Sequence, residues 1–287
     1  MPDFGSEVWA PSERQRERLA TRRRLDRRST LVATATTVVV LGLLVLGLVS
    51  SPGWPRVRET FLSWPDAQAA FPPIAEAFWL NVRMFLVAEP LILLVGMLVA
   101  VARGTTAPAL FPVRALAVVY TDLFRGLPTL LVVFLVCFGL PALQLQGIPT
   151  SLFWLGVLAL VLCYGAYVAE VLRSGIDSVH PSQVASAQAL GLSHGQSLRF
   201  VVLPQAVRRV VPPLLNDFVS LQKDTALVAS VGLVEALRQA QVYSSFNFNF
   251  TSYLVAGAFF VALTVPLARV TDWLARRSAR RERAGAR

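Results

Sequence analysis

The residues best suited to chemistry are polar and ionisable side chains that interrupt an apolar segment between positions 205 and 232. They are Asn216, Asp217, Ser220, Lys223, Asp224 and Thr225. Asn216, Ser220 and Lys223 recur at i, i+4 and i+7, so they share one face of a helix, and Asp217 and Asp224 share a neighbouring face. Inside a membrane such groups cost several kcal/mol unless they face protein or water. The pattern indicates either a polar pathway for a solute or buried pairs that hold helices together.

The ionisable side chains of segment 205–232 need charged or polar partners, which other apolar segments can supply. Lys223 and Asp224 are adjacent and cannot face each other on a helix, so we expect Lys223 to pair with Glu170. A local Glu170–Arg173 pair at i, i+3 is the competing interpretation. Glu89 lies in the middle of a further apolar run, and we expect it to line the pathway or to pack between helices.

Several kinds of site are absent from the sequence pattern. There is no G-x-x-x-x-G-K-[ST] loop for phosphates, and no paired general acid and base in a water-accessible loop. His180 and His194 are isolated, and Cys137 and Cys163 fall within apolar runs, where cysteine behaves as a small hydrophobic residue. We therefore expect no catalytic site, no metal site and no cofactor held by this chain itself.

The composition places these residues in a membrane protein. Of 287 residues 55% are hydrophobic and only 15% are charged, and the basic residues behind the net charge of +10 collect at the ends and in short gaps. That distribution leaves no basic face for nucleic acid. Because a spanning helix needs about 20 apolar residues, the sequence predicts an all-α, polytopic fold. The six predicted spans are 31–50, 77–102, 117–140, 151–173, 205–232 and 252–275.

The arginines predict the orientation of the chain. Eight arginines lie within 1–30, and the closing segment 276–287 is also strongly basic, so we expect both termini in the cytoplasm of a bacterium. Segment 51–76 is then an extracytoplasmic loop, and 174–204 is a cytoplasmic loop longer than a simple connection requires.

The cytoplasmic loop 174–204 contains a predicted short helix outside the membrane. Ser182 is the expected N-cap, Ala185 to Leu190 are good helix formers, and Gly191 is placed to end the helix. Its small, uncharged side chains suit close approach by another protein. A helix resting on lipid headgroups is the alternative, but the basic polar face of such helices is missing.

At this loop the sequence resembles a known family. The pattern E-A-A, three residues, G, nine residues, I-x-L-P is the signature of importer-type ABC transporter permeases. Ala185 stands where that family has glutamate, which removes a charge and half of a potential capping box with Ser182. The positions of the predicted ATPase-coupling loop are Ser182, Ala185, Ser186, Ala187, Gly191, Leu203 and Pro204.

Other blocks resemble the polar amino acid subfamily of these permeases over residues 77–275. They include "YTDLFRGLPTLLVVFLVCFGLP", "YGAYVAEVLRSGIDSV" and "NDFVSLQKDTALVASVG". Arg125, Gly126 and Pro128 match an R-G-x-P block, where Arg125 either contacts a gate or partner or extends to the membrane interface. The helix 31–50 is an addition to the family domain.

The resemblance implies a type I ABC importer permease that forms the pathway for a polar amino acid such as glutamate, glutamine, arginine or histidine. Its implied partners are a second permease, identical or homologous, an ATPase subunit dimer that binds ATP and Mg²⁺, and an extracytoplasmic solute-binding protein. An ion-coupled secondary transporter, or an ABC permease for another small solute, remains the alternative.

Overall fold

The structure, a computed structural model, describes residues 12–105, 107–147 and 149–285, with the backbone alone for 16, 18–27 and 277–285. The described residues form helices and connecting turns without a strand, which confirms the predicted all-α class. The chain divides into two compact units, 1–59 and 60–287.

The first unit is dominated by one long helix, α1 (Glu13–Val49). Ser12 caps it, because its side chain accepts from the Gln15 backbone N–H and Gln15 reciprocates in a capping box. The helix joins the predicted basic tail to the predicted span 31–50, and the described side chains of 28–49 are exposed. Residues 1–11 of the predicted tail lie outside the described residues. A short helix, α2 (Trp54–Phe61), follows.

The predicted span 77–102 lies within a longer helix, α3 (Trp64–Gly104). Much of the predicted extracytoplasmic loop 51–76 is therefore helical, in α2 and in the first part of α3. Ser63 caps α3 by accepting from the Asp66 N–H, and a proline lies in the first turn, where its missing donor is not needed.

The predicted span 117–140 is broken. Helices α4 (Phe111–Gly126) and α5 (Thr129–Phe134) meet at the break, and α6 (Leu140–Ala142) follows a π-helical turn. The segments 108–126 and 129–142 are bent by 109° relative to each other. Leu127 is extended (φ −88°, ψ 139°) because the following Pro128 disfavours helical geometry in the preceding residue.

Helix α7 (Leu152–Asp177) is the most buried of the candidate spans and packs mainly against α3, α4 and the helix α10 (Leu203–Asp224). Glycines allow the close approach. A Cβ on Gly96 of α3 would lie 2.4 Å from Val168, and one on Gly175 of α7 would lie 2.0 Å from Val210. These crossings pack backbone against side chain, as small residues do between membrane helices.

Two short helices, α8 (Pro181–Ala189) and α9 (His194–Ser197), connect α7 to α10, and α11 (Ala236–Asn247) and α12 (Thr251–Gly285) complete the chain. The predicted span 205–232 is not one helix, because α10 ends at Asp224 and continues as a 3₁₀ turn over 225–231. The Thr225 hydroxyl donates to the Gln222 carbonyl, which offers the backbone a partner outside the α-helical ladder.

The predicted count of six spans is not confirmed. Among the described residues four segments are long and apolar enough to cross a membrane, or five if the bent pair forms one span. The four are 28–49, 54–104, 152–177 and 251–276. Helix α10 does not qualify because its arginines, aspartates and lysine interrupt the apolar sequence.

Candidate translocation pathway and coupling helix

The predicted polar face of α10 is present and partly open. Asn216 and Lys223 are exposed, and Ser220 between them is half-buried. Lys223 forms no ion pair with a carboxylate in the part of the chain that the structure describes, so the predicted Lys223–Glu170 pair is not formed. This face offers a donor cation, an amide and a hydroxyl to a solute or to another protein chain.

Glu170 has other partners. Its Oε2 lies 2.6 Å from Arg103 Nη1 and 3.4 Å from Arg125 Nη1. The local alternative was also wrong, because Arg173 pairs with Asp177 at 3.4 Å and donates to the Arg103 carbonyl at 3.1 Å. The carboxylate therefore joins the ends of α3, α4 and α7, and Arg125 lies near it on α4, which packs against α7.

The carboxylates on the neighbouring face of α10 point into the protein. Asp224 accepts from the Tyr164 hydroxyl at 2.8 Å. Asp217 is half-buried, and its Oδ2 is buried without a hydrogen-bond partner among the described atoms. Glu89 of α3 is also half-buried. Carboxylates of α3 and α10 are thus partly enclosed by the helix bundle.

Sequence reasoning missed a buried polar cluster at the end of α10. Glu235 is fully buried and accepts from Asn81 Nδ2 at 2.9 Å and from the Arg238 N–H at 2.8 Å. Asn81 also donates to Thr225 Oγ1 at 3.1 Å and accepts from the Ala236 N–H at 3.1 Å. An asparagine inside an apolar run was the available signal. The cluster ties α3 to the 3₁₀ turn and to the start of α11.

Helix α8 corresponds to the predicted helix in loop 174–204, although its cap differs. The N-cap is His180, whose Nδ1 accepts from the Ser182 N–H at 3.2 Å, so the prediction of Ser182 as cap was wrong. Pro181 fits the first helical position, where no N–H is needed, and this moves the cap one residue before it.

The predicted end of α8 at Gly191 is confirmed. Gly191 has φ +85°, a conformation that favours glycine. Its N–H donates to the Gln188 carbonyl at 2.9 Å and the Leu192 N–H donates to the Ala187 carbonyl at 3.1 Å, which together form a Schellman motif. Ala185 and Ser186 are exposed while Ala187 is buried, so α8 presents a small-residue surface outward.

The two ends of loop 174–204 are fastened together. Arg209 Nη1 donates to the Ser178 carbonyl and to Ser178 Oγ, the latter at 2.8 Å. Gly175 packs directly on Val210, as described above. Leu203 and Pro204 begin α10 and are exposed. These contacts hold the end of α7 against the first half of α10, the two helices between which α8 lies in the chain.

No group of three or more metal-ligating side chains occurs among the described residues. Of the remaining predicted positions, Gly126 and Pro128 flank the bend and are exposed, and Thr225 is buried against Asn81.

The sequence matches a protein-family model and several known proteins. Residues 92–280 match the family model described as "Binding-protein-dependent transport system inner membrane component". The arginine transport system permease protein ArtQ of Bacillus subtilis is 32% identical over 68% of this chain and 88% of its own length. The probable glutamine ABC transporter permease protein GlnM of the same organism is 34% identical over 63% of this chain and 82% of its own length.

A solved structure agrees with these relatives. A chain of an amino acid ABC transporter crystallised with histidines is 29% identical, with a TM-score of 0.66, and the match covers 72% of this chain and 94% of that one. The family model spans the helices that carry the polar face, the bend and α8. This chain belongs to the family of binding-protein-dependent transport system inner membrane components, the permease subunits of ABC importers.

Proposed function

We propose that this chain forms half of a membrane pathway for a polar amino acid and couples that pathway to an ATPase through α8. The observation that carries the proposal is α8 itself: a short helix, closed by a cap at one end and a Schellman motif at the other. It stands between α7 and α10 and exposes Ala185 and Ser186. A surface without charge or bulk suits a groove on another protein.

In this proposal a motion of α8 reaches the membrane helices through the two ends of loop 174–204. The contact of Gly175 with Val210 and the Arg209–Ser178 hydrogen bond hold α7 and α10 together on either side of α8 in the chain. Closure of an ATPase pair on ATP moves α8, and the motion reaches the polar face of α10. The pathway then alternates between two states, each favoured by a different ligand. ATP and Mg²⁺ are bound by the ATPase subunits in this proposal, and this chain holds neither.

The partners and orientation follow from the same proposal. A second permease, identical or homologous, completes the pathway, and an extracytoplasmic binding protein delivers the solute. Both termini lie in the cytoplasm of the bacterium, in agreement with the basic segments 1–30 and 276–287.

The substrate class is supported by the relatives and by the charges of α10. The names of the relatives specify arginine and glutamine transport, and the structural relative is an amino acid transporter. Lys223 on the open face and the inward carboxylates Asp217 and Asp224 offer groups of both signs. A zwitterionic amino acid, with its amino and carboxylate groups, complements such a set.

Site-specific crosslinking tests the coupling. A photo-crosslinker attached at Ser186→Cys should capture the ATPase subunit in membranes, whereas the same probe at Ser230→Cys, an exposed serine in the 3₁₀ turn after α10, should not. The two native cysteines are buried and leave the introduced thiols as the reactive ones. Capture at Ser230 alone, or no capture of an ATPase at either position, would refute the coupling role of α8.

Uptake into proteoliposomes tests the substrate class. The chain is reconstituted with the ATPase captured above and with its solute-binding protein, and radiolabelled glutamine, glutamate, arginine and histidine are compared with a sugar. ATP-dependent uptake of at least one amino acid is expected. Uptake driven by a proton or sodium gradient without ATP would instead identify a secondary transporter.

A further inference from the structure

A cavity lined by arginines lies at the ends of α3, α4 and α7, away from the polar face of α10. It has a volume of about 430 Å³, within the range of about 300–1,000 Å³ for small-molecule sites. Three arginines, Arg103, Arg114 and Arg173, line it together with apolar residues of α4 that include Phe111 and Val119. One cavity thus combines a cationic wall with an apolar wall.

The positive charge in this cavity is only partly compensated. Arg103 has Glu170 as its partner at 2.6 Å, and Arg173 has Asp177 at 3.4 Å. Arg114 has no carboxylate partner among the described residues. Its Nη1 donates to the Thr105 carbonyl at 3.1 Å, and its guanidinium lies 5.5 Å from the centre of the Phe111 ring. These contacts orient Arg114 and leave its charge for an external anion.

The apolar wall belongs to the outer surface of α4. Phe111 and Val119 are 59% and 61% exposed, and Leu116 between them is 71% exposed. In a chain that crosses a membrane several times, such a surface faces hydrocarbon. An anion that binds the arginines and also covers this wall must carry an acyl chain.

We propose that the cavity binds the phosphate of an anionic phospholipid, with the acyl chain lying along α4. Guanidinium groups hydrogen-bond phosphate oxygens in pairs, and basic pockets between membrane helices bind anionic headgroups. The bound headgroup adds a charge partner at Arg114 and holds together the ends of α3, α4 and α7. Because Arg173 and Asp177 lie in the last turns of α7, where loop 174–204 begins, the lipid stabilises the root of that loop.

Lipid binding to the purified full-length chain tests this inference, and it does not depend on the proposed transport activity. Native mass spectrometry measures the affinity for phosphatidylglycerol and for phosphatidylcholine of the same acyl composition. Phosphatidylglycerol should bind more tightly. The variant Arg114→Gln should weaken it about fivefold, since one basic residue near a lipid surface contributes about that factor. Arg269→Gln, an exposed arginine of α12 outside the cavity, is the matched control and should change the affinity little.

A second variant keeps the test decisive if Arg114→Gln does not fold. Val119→Trp retains all three arginines and obstructs the apolar wall, so it should weaken phosphatidylglycerol binding. Equal affinity for the two lipids, or equal effects of Arg114→Gln and Arg269→Gln, would overturn the proposal. Displacement of the lipid by millimolar inorganic phosphate would show that the cavity takes free phosphate, and this result also overturns the assignment to a phospholipid.

Discussion

Replacing Glu170 with glutamine probes the junction of α3, α4 and α7 without changing its shape. The carboxylate lies 2.6 Å from Arg103, whose side chain is only 12% exposed, and Glu170 itself is 32% exposed. Loss of one partner from a fully buried ion pair costs about 3–5 kcal/mol, whereas an exposed pair contributes about 0–1 kcal/mol. The intermediate exposure of Glu170 places the expected cost near 2 kcal/mol.

The matched comparison is Arg125→Gln, which removes the other cation from the same carboxylate. Arg125 is 40% exposed and lies 3.4 Å from Glu170, so its loss should cost less than about 1 kcal/mol. Thermal unfolding in nanodiscs, followed by tryptophan fluorescence, measures both variants. With about 2–4 °C per kcal/mol for a chain of this size, Glu170→Gln should lower the Tm by roughly 4–8 °C and Arg125→Gln by at most roughly 4 °C.

The order of the two shifts decides the argument. Equal shifts, or a larger shift for Arg125→Gln, would refute the claim that the buried Arg103 pair dominates the junction. A double-mutant cycle between Arg103→Gln and Glu170→Gln isolates the pair itself and should show a coupling energy above about 1 kcal/mol.

Three further predictions concern the loop and the pathway. Gly175→Ala should lower stability by about 1–3 kcal/mol because its Cβ would lie 2.0 Å from Val210, and Val210→Ala should restore part of the loss in a thermal unfolding assay. Gly191→Ala should strain the end of α8 by about 1–2 kcal/mol, since its φ is +85°, and should reduce ATPase stimulation by the loaded binding protein. Gly195→Ala is the control for both glycines, because nothing lies within 4 Å of its added Cβ and its φ is not positive; an equal effect there would contradict both. Lys223→Met should abolish amino acid uptake with assembly unchanged if the open face of α10 is the pathway, whereas unchanged uptake with reduced assembly would assign that face to helix packing.

Local features of the chain could be predicted from the sequence because they depend on neighbours along it. The apolar runs that became α1, α7 and α12 are long enough to be recognised by composition alone. The end of α8 at Gly191 was also predictable, since a glycine after a run of helix formers is favoured for the left-handed conformation found there. Membrane location, helical class and the short helix α8 follow from such signals.

The end of a helix was harder to predict from the sequence where a residue at that end bonds to a polar partner far along the chain. Helix α10 ends at Asp224 rather than continuing to 232, and the residue after it, Thr225, bonds to Asn81, which is 144 positions away. Hydropathy alone treats Thr225 and the apolar residues that follow as more of the same span, so it has no means to register that contact.

The placement of site residues on one helix face was predictable from the sequence, whereas their partners were decided by the tertiary structure. Helical periodicity correctly grouped Asn216, Ser220 and Lys223 on one face, because that relation is fixed by 3.6 residues per turn. The partners of Glu170 were decided by tertiary structure alone: Arg103 lies 67 positions away, and Arg125 lies beside the same carboxylate on α4, which packs against α7. Proline at 128 predicts a break, but the direction of the bend depends on how α4 and α5 pack against α7, and packing is a property of the folded chain as a whole.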